Sequence, residues 1–252
     1  MGPWFQRHGY LFFAGKTGGG KSFVALSMAL AVASGGSVLG YLARTQLPVL
    51  YVDGEMTPAD VQARLQAMIQ ARQEDDNGNL EEIGRMLTII SHYDQEGDFP
   101  DLASKTLAGQ AEVDAALIET EAELLILDNL STLCKSGGEN NADDWQLMQD
   151  WIGRLRKGVT VCVMHHTGKA DKETGKVAQR GTSRHEDLAT SSILLSQTSP
   201  NTPLKLTWTK QRGGQAPADM AVRIEWPPED GCRLTLYLGK QTKEEISRYG
   251  KS

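Results

Sequence analysis

The stretch that decides the fold covers residues 10–34 and reads YLFFAGKTGGGKSFVALSMALAVAS. Its apolar start, 10–14, predicts a buried strand, and residues 21–34 predict a helix. Between them the string G-K-T-G-G-G-K-S, residues 15–22, fits the pattern G-x-x-x-x-G-K-[ST]. A glycine-rich turn that matched this pattern by accident would lack the strand before it and the helix after it. The order of strand, glycine loop and helix therefore predicts a phosphate-binding P-loop.

Each residue type in this loop has a chemical task. Glycines let backbone N–H groups curl around a β-phosphate, and the helix N-terminus adds the positive end of its dipole. Lys21 reaches the β- and γ-phosphates, while the Ser22 hydroxyl is a ligand for Mg²⁺. We therefore predict ATP and Mg²⁺ as the cofactors. The predicted nucleotide-binding residues are Gly15, Lys16, Thr17, Gly18, Gly19, Gly20, Lys21, Ser22 and Phe23.

Two apolar runs that lead into carboxylates supply the other parts of such a site. The run L-L-I-L-D at residues 124–128 predicts a central strand whose Asp128 holds Mg²⁺ through water, although an Asp that merely caps a strand end is common. The run V-L-Y-V-D-G-E at residues 49–55 delivers Glu55 just past the end of a strand. Hydrolysis needs a carboxylate that orients and deprotonates water. Glu55 is the candidate base if its strand lies close to the P-loop strand, and Asp53 is its competitor.

The remaining sequence alternates short apolar runs with helical patterns, which is typical of a mostly parallel sheet covered by helices. Further strands are predicted at residues 86–91, 159–164, 193–196, 204–209, 222–226 and 233–238, and further helices at residues 58–72, 110–121 and 143–157. Residues 73–79 are predicted to form a loop. No helical pattern follows Ser191, so the late strands are predicted to be antiparallel members of the same sheet. We predict one α/β domain over residues 1–252, with its core at about 9–239 and a short C-terminal tail.

Composition narrows the class of protein. The 252 residues are 40% hydrophobic and contain no apolar run long enough to span a bilayer. The N-terminus lacks the pattern of a signal peptide, so we predict a cytoplasmic protein without a membrane partner. The cysteines are odd in number and widely spaced, which favours reduced thiols over a disulfide framework or a zinc site. They are Cys134, Cys162 and Cys232.

A basic segment stands out in a chain whose net charge is −6. Residues 167–184 are polar, contain glycine and lack periodicity, so they are predicted to form a loop with a surplus of positive charge. Proteins that bind nucleic acid over their whole surface are usually basic, so contact here would come from this local patch. The alternative is a solvated loop whose charges serve solubility. The residues predicted to contact nucleic acid are Lys169, Lys172, Lys176 and Arg180.

Five segments, in order, resemble the RecA-like ATPases that include the DnaB-type replicative helicases and, more closely, the RepA-type plasmid helicases and related phage and plasmid AAA-type ATPases. The first and third are the P-loop and the strand that ends in Asp128. The other three are VLYVDGEM at 49–56, VTVCVMHHTGK at 159–169 and TKQRGG at 209–214. The resemblance implies a RecA-like P-loop core with a mostly parallel sheet and antiparallel strands toward the C-terminus.

The resemblance also implies roles for single residues. Glu55 matches the family's catalytic base, and His166 best matches the residue that senses the γ-phosphate, with His165 as the alternative. Lys210 and Arg212 match the segment by which DnaB-type subunits reach into a neighbour's ATP site. The implied function is a plasmid- or phage-type DNA helicase that acts as a hexameric ring on single-stranded DNA, with a primase or another replication protein as a further partner. A KaiC-like regulatory or assembly ATPase and a RecA-like recombination ATPase are the alternatives.

Overall fold

The structure is a computed structural model that describes residues 4–76, 80–92, 101–135, 142–170, 177–179, 186–198, 202–225 and 233–236. The strands are β1 (Tyr10–Gly15), β2 (Ser37–Val38), β3 (Tyr41–Leu42), β4 (Val49–Asp53), β5 (Leu87–Ser91), β6 (Leu124–Asp128), β7 (Thr160–Ala170), β8 (Val177–Gln179), β9 (Ser191–Ser196), β10 (Leu204–Gln211), β11 (Met220–Glu225) and β12 (Arg233–Leu236). The helices are α1 (Lys21–Ser34), α2 (Pro58–Asp76), α3 (Leu80–Met86), α4 (Ala108–Glu119), α5 (Leu130–Leu133) and α6 (Ala142–Leu155).

One large sheet organises these elements, in the strand order β12-β11-β10-β9-β1-β7-β6-β4-β5. From β9 to β5 all neighbours run parallel, and β10, β11 and β12 continue the sheet antiparallel. This confirms the predicted α/β class with antiparallel strands toward the C-terminus. The prediction for β9 was wrong, because β9 pairs parallel with β1. The chain returns to the amino end of β1 before β9 begins, and Thr190 N donates there to Tyr10 O at 2.8 Å.

Both faces of the sheet are buried, which explains why its central strands read as continuous apolar runs. Successive β1 residues alternate between two cores: Phe13 belongs to one and Phe12 to the other. The first core lies under α1, α2 and α3, and the second lies under α4, α5 and α6. The buried side chains of the second core include Trp151 and Met148 from α6.

Several predicted boundaries were wrong. Helix α2 continues through residues 73–76, which were expected to form a loop, because no Gly or Pro interrupts the helix before Gly78. The short helix α3 was not predicted, and β5 therefore starts at Leu87 rather than at residue 86. Strand β7 extends to Ala170 and pairs antiparallel with β8, where a loop was predicted. Strand β8 lies off the main strand order and pairs only with the far end of β7, so this hairpin need not carry the apolar alternation that reveals a half-buried strand.

None of the described helices combines the length and the apolar character that crossing a bilayer requires. Cys134 and Cys162 carry free thiols, as the spacing of the cysteines predicted. Cys232 lies outside the described residues.

Candidate nucleotide-binding site

The predicted P-loop connects the carboxyl end of β1 to the first turn of α1. Gly20 precedes the helix in the left-handed conformation, with φ of 81°, which favours glycine. A Cβ at this position would lie 2.7 Å from Leu204 Cδ1 and 2.8 Å from Ile224 Cδ1, so these side chains would have to shift to admit it. The amino end of the 14-residue α1 thus opens into the glycine loop, where its dipole favours an anion.

Lys21 is buried at the base of this loop. Its ammonium group donates to Gly15 O at 3.1 Å and to Lys16 O at 2.9 Å, and it lies 3.0 Å from His166 Nδ1. Burial lowers the pKa of Lys21, and the nearby carboxylates Asp128 and Glu55 oppose that shift. The three protons of the ammonium group are therefore held by acceptors of the protein, and a bound phosphate would have to replace some of them.

Asp128 lies at the end of β6 with its carboxylate buried beside the loop. Tyr51 donates to Asp128 Oδ2 at 2.6 Å, and Ser22 also hydrogen-bonds this carboxylate. Burial raises the pKa of Asp128, while these hydrogen bonds and the charge of Lys21 lower it. The second oxygen, Oδ1, is buried and has no hydrogen-bond partner among the described residues.

The residues present fit a Mg²⁺ ion that is bound together with a nucleotide. The unpartnered Asp128 Oδ1 and the nearby Ser22 hydroxyl are hard oxygen donors of the kind that Mg²⁺ prefers. Across the described part of the chain, no group of three or more His, Cys, Asp or Glu residues forms a cage that would hold a metal without substrate. Mg²⁺ usually keeps several waters and takes the remaining ligands from phosphates.

Glu55 reaches the cleft by a different route from the one expected. Strands β1 and β4 are not neighbours, since β7 and β6 lie between them. The chain turns past β4 at Gly54, where a Cβ would lie 2.5 Å from Thr132 Oγ1. Glu55 then projects into the cleft with 42% of its side chain exposed, and its Oε2 accepts from Asn129 Nδ2 at 2.6 Å.

Asp53, the alternative base, has a different environment. Its side chain is fully buried, and its Oδ2 accepts from Met56 N at 2.9 Å. Burial raises the pKa of Asp53 to about 7. Such a pKa suits a base, but the carboxylate is enclosed, whereas Glu55 lines the cleft. Of the two candidate bases, only Glu55 lines the cleft.

The two adjacent histidines lie where the pairing of β7 with β1 ends, and they point in opposite directions, as strand geometry requires. His165 is fully buried and packs against Phe12, with ring centroids 5.6 Å apart. The His166 ring faces the P-loop: its Nδ1 lies 3.3 Å from Thr17 Oγ1, and its Nε2 lies 3.7 Å from Glu55 Oε2. Of the two candidates for the γ-phosphate sensor, only His166 lines the nucleotide cleft.

The cleft has a volume of about 720 Å³ and extends beyond the P-loop to a region that the sequence did not reveal. One side of the cleft is lined by Leu204 of β10 and by Val222 and Ile224 of β11. Near the P-loop the guanidinium group of Arg64 lies 4.7 Å from the centre of the Phe23 ring. Such apolar and planar side chains suit a nucleoside base. No local pattern marks them, because the antiparallel strands reach the P-loop only through the sheet topology.

Lys210 and Arg212 lie at the opposite edge of the sheet from the P-loop. Strand β10 runs antiparallel to β9, so Gln211 pairs with Ser191 at the amino end of β9. Lys210 donates to the main-chain oxygens of Glu186 and Asp187, and Arg212 donates to Asp187 O at 2.7 Å. Within one chain these two cations therefore do not reach the nucleotide cleft.

The predicted nucleic-acid contacts fall largely outside the described residues. Lys169 belongs to β7 near its end. Lys172, Lys176 and Arg180 lie outside the described residues. Their role stays a prediction.

Comparison with known proteins gives two findings. The sequence profile of a family described as "AAA domain" matches residues 1–172, and no curated protein matches the chain significantly. The fold is similar to that of a KaiC-like protein from the hyperthermophilic archaeon Pyrococcus horikoshii OT3, with a TM-score of 0.62 and 15% sequence identity over 93% of this chain and 91% of that one. This likeness confirms the predicted RecA-like fold.

Proposed function

The chain belongs to the AAA domain family, and on that basis we propose that it hydrolyses ATP in order to move along single-stranded DNA. The observation that carries the proposal is the convergence of Lys21, Glu55 and His166 beside Asp128 in one cleft at the carboxyl edge of the sheet. Phosphoryl transfer needs a phosphate cradle, a cation, a metal ligand and a residue that activates water. The described residues supply a candidate for each task.

On this proposal each residue of the cleft has a separate role in hydrolysis. Lys21 exchanges its carbonyl contacts for the β- and γ-phosphates, and its charge stabilises the phosphoryl oxygens as negative charge moves in the transition state. Ser22 and Asp128 hold Mg²⁺, which when bound neutralises charge on the phosphates. Glu55 orients a water and takes its proton. His166 contacts the γ-phosphate and reports its loss to the β7–β8 hairpin, which begins at the next residue, Thr167.

We propose further that the active form is a ring of identical subunits, six in number, with ATP between subunits. The location of Lys210 and Arg212 supports this proposal, because cations at the edge opposite the P-loop lie away from their own nucleotide cleft and can reach a nucleotide only if a neighbouring subunit binds it. A head-to-tail interface would bring that edge of one subunit to the carboxyl edge of the next, and such interfaces close into rings when the rotation permits. Ring closure would also align the β7–β8 hairpins and their basic segments for contact with a strand backbone.

The resemblance of the motifs to RepA-type and DnaB-type proteins makes a plasmid- or phage-type replicative helicase the specific form of this proposal, with a primase or another replication protein as a further partner. The fold similarity to a KaiC-like protein favours a second candidate, a regulatory or assembly ATPase that binds proteins. The two candidates differ in what stimulates them.

The deciding experiment measures ATP hydrolysis with and without single-stranded DNA, followed by strand displacement on duplexes with a 5′ or a 3′ tail. We expect single-stranded DNA to raise the rate and one tail polarity to support displacement. The variant Lys21→Ala serves as the control for contaminating ATPases. Hydrolysis that DNA leaves unchanged, with no displacement on either substrate, would contradict the translocase and favour the regulatory ATPase.

A further inference from the structure

Asn129 follows Asp128 directly and was not singled out by any sequence pattern. The residue is fully buried and begins the short helix α5. Its side-chain oxygen accepts from Thr132 N at 3.3 Å, and its main-chain oxygen accepts from Thr132 Oγ1 at 2.9 Å. These contacts fix the amide plane, since one end of the amide is held as a helix cap. The other end, the NH₂ group, is therefore aimed in one direction.

The NH₂ group of Asn129 points into the nucleotide cleft. Asn129 Nδ2 lies 2.6 Å from Glu55 Oε2 and 3.0 Å from His166 Nε2. Glu55 has no other hydrogen-bond donor within 3.5 Å of its carboxylate among the contacts described, and its side chain is 42% exposed. A long exposed carboxylate samples several rotamers unless a neighbour holds it. The contact with Asn129 is the one that selects a position for Glu55.

Proton counting shows which of the two Asn129 contacts is a hydrogen bond. A neutral imidazole ring has one acceptor nitrogen. Lys21 has three N–H donors, which face Gly15 O, Lys16 O and His166 Nδ1. The third of these makes Nδ1 the acceptor, so Nε2 carries the ring proton and turns toward Glu55 Oε2. Asn129 then donates to Glu55 Oε2, and its 3.0 Å contact with His166 Nε2 is not a hydrogen bond.

We propose that Asn129 is a positioning residue for ATP hydrolysis, whose side-chain amide holds Oε2 of Glu55 and leaves Oε1 to activate water. This inference rests on the proposed function, because it assigns Glu55 as the base. Asn129 acts through Glu55 and does not itself contact the reacting atoms. A shift of the base by about 1 Å costs up to about 10²-fold in rate. The amide therefore affects turnover rather than nucleotide binding.

The test compares Asn129→Ser with Thr132→Val. A serine keeps an oxygen that can cap α5 but lacks the NH₂ group that reaches Glu55. The valine removes the Thr132 hydroxyl that donates to Asn129 O, yet leaves the amide in place, so it reports the effect of loosening α5 alone. We measure kcat and KM for ATP, direct binding of a fluorescent ATP analogue, and the melting temperature.

For Asn129→Ser we expect kcat to fall about 10- to 100-fold, while the affinity for the ATP analogue changes by less than about twofold. For Thr132→Val we expect kcat to stay within about threefold of the wild-type value. In a Glu55→Gln background Asn129→Ser should change the residual rate by less than about twofold, since residues that act as a unit are not additive. An unchanged kcat in Asn129→Ser would overturn the inference. An equal fall of kcat in Thr132→Val, accompanied by weaker binding of the ATP analogue, would overturn it as well. A wild-type chain that binds ATP but never hydrolyses it would overturn the proposed function as well, which distinguishes the two failures.

Discussion

The two edges of the central sheet each carry a buried or half-buried lysine that donates to main-chain carbonyls, yet their surroundings differ. At the carboxyl edge Lys21 lies in a glycine loop beside Asp128 and Glu55, whose charges raise its pKa against the effect of burial. At the opposite edge burial lowers the pKa of Lys210, and the neighbouring Arg212 lowers it further. Asp187 and Glu186 in turn raise the pKa of Lys210, so both lysines have carboxylates nearby, and Lys210 differs in standing beside a second cation, Arg212.

This difference shows how the chemistry is divided. The carboxyl edge contains a phosphate cradle and a candidate base, so it can bind a nucleotide within one chain. The opposite edge offers positive charge, but the residues described there do not contain the G-x-x-x-x-G-K-[ST] pattern. Arg212 has the planar fork that suits phosphate oxygens. The comparison therefore predicts that the two edges work on the same nucleotide only when they belong to different subunits.

The largest expected effect comes from removing the cation of the carboxyl edge. Lys21→Ala deletes the only described ammonium group at the base of the glycine loop, and ATP turnover should fall about 10³-fold, with weaker ATP binding. The melting temperature in the absence of nucleotide should stay close to that of the wild type. Substantial turnover in this variant would mean that the carboxyl edge is not the catalytic edge.

Glu55→Gln separates binding from hydrolysis at the same edge. The amide keeps the size of the side chain but cannot take a proton from water, so kcat should fall roughly 10²- to 10⁴-fold while ATP stays bound. Asp53→Asn is the comparison variant. If Glu55→Gln turns over at near the wild-type rate and Asp53→Asn does not, the base is Asp53 and its burial has been misjudged.

A smaller effect is expected beyond the carboxyl edge, where the β7–β8 hairpin leads into the basic segment. Replacement of Lys169, Lys172 and Lys176 by Ala should weaken single-stranded DNA binding and reduce the slope of log affinity against log salt by about 2, which is about 0.7 for each lost phosphate contact. The basal ATPase rate should survive. An unchanged salt slope would return this segment to the alternative of a solvated loop.

The smallest effect concerns stability and pH. Because burial raises the pKa of Asp53 from 3.8 to about 7, the folded chain holds a proton between those values that the unfolded chain has lost. The free energy of unfolding should therefore fall as pH rises from about 4 to about 7 and level off above that range. Asp53→Asn should lose this dependence, a difference of about 2 to 3 kcal/mol between pH 5 and pH 8. Urea denaturation without nucleotide or Mg²⁺ measures it, and parallel curves for the two proteins would contradict the burial argument.

Local patterns predicted the catalytic edge well. Helix α1 has the predicted bounds, and β1 differs from its prediction by one residue, because the motif, the apolar strand and the helical stretch are consecutive in sequence. The sequence left the choice between His165 and His166 open, because an error of one residue in the strand register reverses which side chain faces the cleft. The structure settles the orientation of the two rings, since Val163 and His165 share one face of β7 and pack in the core around Phe12.

Contacts that depend on topology could not be predicted. Asn129 meets Glu55 only because β6 lies next to β4, and Leu204 meets Gly20 only because β10 begins at the P-loop edge of the sheet. Because β10 runs antiparallel to β9, Lys210 near its end lies away from the chain's own nucleotide cleft. Pairing order is a property of the whole sheet, so no window of sequence around these residues contains it.

The most direct test of a site shared between subunits mixes two inactive variants. Arg212→Ala lacks the cation of the opposite edge, and Lys21→Ala lacks that of the carboxyl edge, so each alone should hydrolyse ATP at a small fraction of the wild-type rate. In mixed rings some interfaces pair an intact P-loop with an intact Arg212, and ATPase activity should partly return at intermediate mixing ratios. Subunit exchange is verified in parallel by energy transfer between labelled chains. If the subunits exchange and no activity returns at any ratio, the two edges do not share a nucleotide and the account is contradicted.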